Sequence, residues 1–346
     1  MEEKITHLLK KAVTIQASDL HLTIGMPPMF RINGELVKMD TETISPDVMT
    51  AMAESILPAN YLQILREKGE VDFSYGIPQV SRFRINAYHQ RSHISMAIRV
   101  LSTSIPSLEE LRMPQILSKI AERKQGLVLV TGPTGSGKST TLASMLKHIN
   151  ETQKKHIITL EDPIEYLHKH RNSIIDQREV GSDTKSFANG LRASLRQDPD
   201  VILVGEMRDL ETIATAITAA ETGHLVFATL HTSNAPATID RIIDVFPPGQ
   251  QAQIRIQLAS VLTAIVSQRL FPTVNRQGRR AATEILINNP AIANMIRNEK
   301  VHQIHNVMQT SRKEGMNTLA MSIQELLNRK EVSHEEVYPY LQERNA

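Results

Sequence analysis

The sequence predicts an α/β protein with a smaller α+β domain at its N-terminus and a larger domain built on a parallel sheet. Two patterns support this prediction. Over the first hundred positions, short apolar alternations are broken by turn residues, which is typical of half-exposed strands. From Lys124 onward, uninterrupted apolar strands alternate with helical patterns, as expected of buried parallel strands joined by helices.

Composition limits the possible functions. The 346 residues suit two domains, and an apolar content of 41% is ordinary for a globular protein. The 39 basic and 37 acidic residues leave a net charge of +2, so electrostatics give no reason to expect nucleic acid as a partner. Cysteine is absent, which excludes disulfides and thiolate zinc sites.

Hydropathy indicates no insertion into a membrane. No stretch of about 18 apolar residues is present, so no transmembrane helix is expected. The first residues are charged and amphipathic, unlike a secretory signal peptide. These features predict a cytoplasmic protein, which leaves docking on a membrane machine open.

The N-terminal domain is predicted over residues 1–101, followed by a linker at 102–114 that contains prolines and hydroxyl residues. A helix is expected at 2–16, and Asn33-Gly34 indicates a hairpin turn. Ser45-Pro46 places an N-cap and a first-turn proline at the start of another helix. Strands are predicted at residues 20–24, 29–32, 35–39, 71–75, 81–89 and 95–101.

The second domain is predicted over residues 115–346. After Pro247-Pro248 the pattern indicates mostly helix to the end, with a capping box at 333–336 opening the last helix. Strands are predicted at 126–131, 156–160, 201–204 and 225–229, and helices at 138–150 and 210–222.

A complete phosphate-loop motif, G-x-x-x-x-G-K-[ST], lies between the first of these strands and the first helix. Its glycines let successive backbone N–H groups point at phosphate oxygens, and the helix offers its positive end to the anion. Lys138 supplies a cation to the phosphates, and the Ser139 hydroxyl is a ligand for Mg²⁺. The motif predicts nucleoside triphosphate binding by Gly132, Pro133, Thr134, Gly135, Ser136, Gly137, Lys138, Ser139 and Thr140.

Three acidic residues follow two other predicted strands. Glu161 and Asp162 end one strand, and Glu206 ends another, so all three are expected at the ligand-binding edge of the sheet. Gly205 stands where many phosphate-loop ATPases have an aspartate that helps to hold the metal. We therefore predict Mg²⁺ binding by Ser139, Glu161 and Asp162, with Glu206 orienting water. A helix cap or an arginine pair is the structural alternative for any single one of these acids.

Two histidines flank the strand at 225–229. His231 follows its carboxyl end, where it could contact a γ-phosphate, but a structural role explains a lone histidine equally well. His224, at the other end, is the weaker candidate for a role in chemistry.

Four segments together resemble the superfamily of type II and type IV secretion ATPases. The resemblance covers nearly the whole chain, and Ala17–His21 is similar to the start of that family's N-terminal domain. The four segments are the phosphate loop at 132–140, the aspartate box at 157–165, the Walker B-like run at 196–209 and the histidine box at 222–232.

Within the superfamily, the chain most resembles the pilus-retraction, or PilT-type, branch. Residues 177–181 and 220–227 are similar to that branch, and 290–297 resembles its A-I-R-N-L motif. Ala293 and Met295 depart from that motif, which the family ties to retraction rather than to hydrolysis. The absence of cysteine is unlike assembly and secretion members, which commonly carry a four-cysteine zinc module.

The resemblance implies a RecA-like ATPase domain preceded by a PAS-like α+β domain. It implies ATP and Mg²⁺ as cofactors, a homohexamer, and an inner-membrane pilus platform protein as partner of a cytoplasmic motor. It further implies that Arg84 and Arg99 reach the γ-phosphate, although alternate strand residues also line solvated faces. The implied function is ATP-driven pilus retraction and twitching motility, with pilus assembly or type II secretion as the alternative.

Other classes of function fit the residues less well. The near-neutral net charge argues against a nucleic-acid translocase. The intact phosphate loop and the three acidic residues argue against a catalytically inactive scaffold. A small-molecule kinase is disfavoured because no segment resembles an acceptor-substrate lid.

Overall fold

The computed structural model describes residues 1–32, 34–101 and 104–342. Asn33 of the predicted hairpin turn, and Ser102 and Thr103 of the predicted linker, lie outside these residues. The chain forms two compact units. The first comprises Met1–Ser104 with Pro163–Leu167, and the second comprises Ile105–Asp162 with His168–Ala346.

The first unit is an antiparallel sheet with helices packed on one face. Within the described residues the sheet has six strands in the order β3-β2-β1-β6-β5-β4. Helices α1 and α2 share one apolar core with this sheet. The elements are α1 (Glu2–Thr14), β1 (Asp19–Leu22), β2 (Met29–Ile32), β3 (Glu35–Lys38), α2 (Pro46–Ile56), α3 (Ala59–Lys68), β4 (Glu70–Ile77), β5 (Ser81–Gln90) and β6 (His93–Val100).

Alternation along β5 explains how this sheet divides its two faces. Phe83 and Ile85 are fully buried, whereas Arg82 and Arg84 alternate with them on the other face. Ser45 caps α2 by accepting a hydrogen bond from Val48 N at 3.4 Å, as predicted from the Ser-Pro pair.

The second unit is built on a predominantly parallel sheet. Seven strands of the described chain run in the order β13-β12-β7-β11-β10-β8-β9, and all adjacent pairs are parallel except β12 with the edge strand β13. The strands are β7 (Gly126–Thr131), β8 (His156–Glu161), β9 (Ile174–Glu179), β10 (Val201–Val204), β11 (Leu225–Leu230), β12 (Leu262–Pro272) and β13 (Arg279–Ile287).

Helices and short 3-10 turns complete this unit, and apolar clusters lie on the two sides of the sheet. No helix within the described ranges is long and apolar enough to span a bilayer. The helices are α4 (Ile116–Ala121), α5 (Lys138–Thr152), α6 (Phe187–Ser194), α7 (Leu210–Glu221), α8 (Ala235–Asp244), α9 (Pro248–Val261), α10 (Pro290–Arg297), α11 (Ile304–Thr310), α12 (Leu319–Asn328) and α13 (His334–Gln342), with 3-10 turns at Val301–Gln303 and Arg312–Glu314.

The prediction of mostly helix after Pro247 is wrong for residues 262–287. That stretch forms β12 and β13, which extend the central sheet beside β7. Its apolar run shows no alternation because most of β12 is buried on both faces, and such a run cannot be assigned to strand or helix by periodicity. Helix α3 and strand β9 were also not predicted. The α/β class itself is confirmed.

Candidate active site

The predicted site residues of the second unit follow neighbouring strands of one parallel sheet. The phosphate loop follows β7, His231 follows β11, Glu206 follows β10, and Glu161 ends β8. Since β7, β11, β10 and β8 are adjacent and parallel, their carboxyl ends lie along one edge. The structure therefore brings the loop, the two glutamates and this histidine to the same edge.

The phosphate loop has the backbone shape that its glycines were expected to provide. Gly132, Gly135 and Gly137 have φ values of 139°, 78° and 89°, a region that other residues rarely adopt. A Cβ atom at Gly132 would lie 2.4 Å from the backbone oxygen of Gln268, so this glycine also permits a close approach of β12. Helix α5 begins at Lys138 and directs its N-terminus into the loop.

The side chains of the loop suit a phosphate ligand. Lys138 Nζ donates to the carbonyl oxygens of Gly132 at 2.8 Å and Pro133 at 3.1 Å, so its ammonium lies against the loop. Ser139, in the first turn of α5, is exposed. Together with the N–H groups of the loop, this donor set fits a nucleotide phosphate.

Gln268 of β12 supports the loop, a role that sequence reasoning missed. Its Nε2 donates to the Ser136 carbonyl oxygen at 2.6 Å, and its Oε1 accepts from Thr141 Oγ1 at 2.9 Å. The preceding residue, Ser267, bonds through its hydroxyl to the Thr131 hydroxyl at 2.7 Å. No local motif marks these residues, because β12 lies more than a hundred positions along the chain.

Glu206 is held by two basic side chains. Arg208 Nε lies 2.7 Å from Glu206 Oε1, and Arg208 Nη2 donates to Oε2 at 2.7 Å. His231 Nε2 lies 3.0 Å from Oε1. The hydrogen bond from Arg208 is the main cause that lowers the pKa of Glu206, with burial opposing it and the charges of Arg208 and His231 adding to it. Glu206 is therefore ionised at neutral pH and can accept a proton or orient water.

Glu161 is oriented by its own strand and by the next one. Thr159 Oγ1 donates to Glu161 Oε1 at 2.6 Å, and Gln177 Nε2 of β9 donates to the same oxygen at 3.1 Å. Asp162 is exposed, and its charge contributes to raising the pKa of Arg208 behind the larger effect of Glu206. Glu161, Asp162 and the Ser139 hydroxyl supply oxygen donors, which are the ligands that Mg²⁺ prefers.

Packing explains why residue 205 is glycine in this chain. A Cβ atom there would lie 3.0 Å from the backbone oxygen of Leu160 and 3.3 Å from Glu161 Cα. Its backbone is already engaged, since its N–H donates to Leu160 O at 2.7 Å and its carbonyl accepts from Thr229 Oγ1 at 2.5 Å. A side chain at 205 would therefore crowd the backbone of β8, which would have to shift slightly to admit it.

Other predicted residues lie away from this edge. His224 precedes β11, and its Nδ1 lies 2.9 Å from the Ala219 carbonyl, a structural contact at the end of α7. Asp200, in the Walker B-like run, precedes β10 and binds Lys155 Nζ and the His156 N–H, each at 2.9 Å. The run at 196–200 therefore closes the opposite edge of the sheet.

Arg84 and Arg99 lie in the first unit, opposite each other on β5 and β6. Arg84 Nε is 3.7 Å from Asp72 Oδ1, and Arg99 Nε is 3.1 Å from Asp19 Oδ1. These four side chains line an open surface cavity of about 310 Å³ together with Asn86 and Ala97. Their predicted role toward a γ-phosphate stays a prediction.

The chain is similar to known proteins over nearly its whole length. Residues 1–339 match the family described as type II/IV secretion system protein. A twitching motility protein of Neisseria gonorrhoeae is 50% identical over 300 residues, covering 87% of this chain and 80% of the relative. The type IV pilus retractation ATPase PilT of Pseudomonas aeruginosa is 45% identical over 331 residues, covering 96% of both chains.

A solved structure shows the same fold. The crystal structure of the pilus retraction motor PilT with bound ADP superimposes with a TM-score of 0.90 at 49% identity, covering 97% of this chain and 96% of the other. Fold and sequence thus agree with those of this motor over nearly the whole length. The chain belongs to the type II/IV secretion system protein family of ATPases.

Proposed function

We propose that this protein hydrolyses ATP to drive type IV pilus retraction, the depolymerisation of pilin that powers twitching motility. The observation that carries the proposal is the ionised Glu206, held by His231 and Arg208 at the sheet edge where the phosphate loop begins. The names of the relatives, which describe twitching motility and pilus retraction, support the cargo.

In this proposal the loop binds the nucleotide through its backbone N–H groups and Lys138. Ser139, Glu161 and Asp162 would hold Mg²⁺, directly or through water, and a bound ion would supply positive charge next to the phosphates. Thr159 and Gln177 keep the Glu161 carboxylate oriented for that purpose. The nine residues 132–140 form the nucleotide-binding loop.

Glu206 then orients the attacking water for in-line displacement at the γ-phosphate. Its lowered pKa keeps it in the accepting, ionised form at neutral pH. His231 orients the Glu206 carboxylate through Nε2. It lies at the same edge of the sheet as the phosphate loop, where it senses the γ-phosphate. Both roles depend on the adjacency of β10 and β11.

Mechanical work requires more than this single site. We propose a homohexameric ring in which Arg84 and Arg99 complete the charge cage around the γ-phosphate, so that the state of the nucleotide governs domain closure. The ring acts in the cytoplasm on an inner-membrane pilus platform protein, without inserting into the membrane or binding nucleic acid.

One observation favours a second candidate within the same family. Ala293 and Met295 stand in α10 where the retraction motif usually has arginine and leucine. Ala293 is 6% exposed and belongs to the apolar core, so it offers a partner neither charge nor hydrogen bonds. A pilus assembly or type II secretion ATPase would share every feature of the nucleotide site.

A chromosomal Lys138→Ala substitution tests the direction of movement in the host. Surface pili are counted and twitching is scored, with the exposed Lys154→Ala as the matched control. Many pili without movement are expected, because extension would continue while retraction stops. Bald cells would identify an assembly motor instead, and unchanged piliation and motility would contradict the proposal.

A further inference from the structure

We propose that Gln268 is a positioning residue for nucleotide binding, because its side chain sets the direction of a peptide group in the phosphate loop. This inference rests on the proposed binding of ATP at that loop. Gln268 lies on β12, in a stretch that was not expected to be strand, and it is 2% exposed. Its neighbours Val266 and Phe271 are buried apolar residues, so packing alone does not require an amide here.

Both polar ends of the buried amide are used on the loop and on the helix that follows it. Nε2 donates to Ser136 O at 2.6 Å, and Oε1 accepts from Thr141 Oγ1 at 2.9 Å. A carbonyl oxygen can only accept, so the amide nitrogen must face Ser136. The amide thereby joins the loop backbone to the first turn of α5 in one fixed arrangement.

Planarity of the peptide bond transmits this contact to the phosphate side. In a trans peptide the C=O of one residue and the N–H of the next point in opposite directions. Drawing the Ser136 carbonyl toward Gln268 therefore directs the Gly137 N–H away from β12. N–H groups that converge on the other side of the loop form the concavity that binds an anion.

The close approach of β12 leaves the loop little freedom to find another arrangement. A Cβ atom at Gly132 would lie 2.4 Å from Gln268 O, and one at Gly137 would lie 3.0 Å from Gln268 Nε2. Gln268 thus lies close to Gly132 through its backbone and close to Gly137 through its side chain. Loss of the side-chain contact would leave the Ser136 carbonyl buried without its partner or let the peptide rotate.

The test compares ADP affinity of the full-length wild type and a Gln268→Met variant by isothermal titration calorimetry, with unfolding temperatures measured without nucleotide. Methionine keeps the length and volume of the side chain but cannot make either hydrogen bond. We expect the dissociation constant for ADP to rise about tenfold or more, because a misdirected N–H loses a charge-assisted bond to phosphate. The unfolding temperature should fall by a few degrees at most, since two buried hydrogen bonds are lost, so the change in ADP affinity is the readout that decides.

Gln251→Met is the control, since the Gln251 amide also donates to a backbone carbonyl, Phe246 O, at 3.1 Å, although this residue is only partly buried. It should bind ADP as the wild type does. Equal ADP affinity of wild type and Gln268→Met would overturn the inference, and so would a lowered unfolding temperature with unchanged affinity. A wild type that fails to bind ADP would instead overturn the proposed function itself.

A second variant keeps the inference testable if Gln268→Met does not fold. Thr141→Val retains the shape of residue 141 but removes the hydroxyl that holds the amide oxygen of Gln268. A rise of about two- to fivefold in the ADP dissociation constant is expected, because the bond to Ser136 remains. Unchanged affinity in this variant would count against a positioning role.

Discussion

His231 Nε2 lies 3.0 Å from Glu206 Oε1, and the two residues follow adjacent parallel strands, β11 and β10. The two residues are far apart along the chain, and the hydrogen-bonded register of the two parallel strands brings them together. Arg208 donates to both oxygens of the same carboxylate. The Glu206 carboxylate is therefore positioned by basic side chains that follow its own strand and the neighbouring strand.

Replacing Glu206 with Gln should separate binding from turnover. The variant keeps the size of the side chain but loses its charge, so ATP affinity should stay near that of the wild type while hydrolysis falls about 100-fold or more. Phosphate release and equilibrium ATP binding measure the two effects. Glu221→Gln, an exposed change on α7, is the control, and hydrolysis by Glu206→Gln at the normal rate would show that the role assigned to Glu206 is wrong.

His231 and His224 form a natural pair of test and control, because they flank the same strand. His231→Ala removes the contact with Glu206 and should lower kcat about tenfold or more. His224→Ala removes a contact with the Ala219 carbonyl at the other end of β11 and should leave kcat unchanged. Steady-state ATPase assays of both variants decide, and equal loss of kcat in the two would point to a general structural effect.

Arg84 and Arg99 should affect turnover without affecting the fold. Their ion pairs with Asp72 and Asp19 are solvent-accessible, and such pairs contribute little to stability. Substitution of either arginine with Gln should lower kcat on the order of 100-fold, because charge developing on the γ-phosphate loses a cation.

The corresponding control is Arg66→Gln, which removes an exposed arginine of the same unit that pairs with Glu54 at 3.8 Å. Unfolding temperatures of all three variants should match the wild type. Normal kcat in both Arg84→Gln and Arg99→Gln would leave these residues with a role only on the solvated face of the sheet.

Burial of His168 makes the stability of the folded state depend on pH. Burial lowers the pKa of His168 from 6.5 to about 4, so the folded state keeps this side chain neutral where the unfolded chain takes up a proton. Stability is therefore fully present above pH 6.5 and is lost as the pH falls toward 4. Once His168 is protonated in both states, the free energy of unfolding has fallen by on the order of 3 kcal/mol.

Unfolding temperatures between pH 7 and pH 5 measure this effect. The His168→Gln variant should lose less stability over that range than the wild type, because glutamine takes up no proton. His302→Gln, at an exposed histidine, is the control and should follow the wild type. Parallel curves for wild type and His168→Gln would contradict the assignment.

The sequence predicted those features that depend only on neighbouring residues. The phosphate loop, the acids at strand ends and the N-cap at Ser45 each depend on a few adjacent positions and the strand or helix they join. Adjacent parallel strands then bring Glu206 and His231 together, as the general rule for such sheets indicates.

Contacts between distant segments were not predictable in this way. Gln268 and Ser136 are 132 positions apart, and no pattern around either residue indicates the other. Strand β12 was missed because it is buried on both faces and shows no alternation. Arg84 and Arg99 were singled out only through the family resemblance, since charged residues alternate along many half-exposed strands.

The packing of β12 against β7 and the phosphate loop has a consequence for folding during synthesis. When residues 132–140 have been translated, Gln268 has not yet been synthesised. Strand β7 therefore cannot pair with β12 until much later in synthesis. Sheet pairing over such a separation is slow, because a long loop must close first. Nascent chains that end before β12 therefore carry the complete motif without the Gln268 side chain that supports it, and they should bind nucleotide more weakly than chains that include β12.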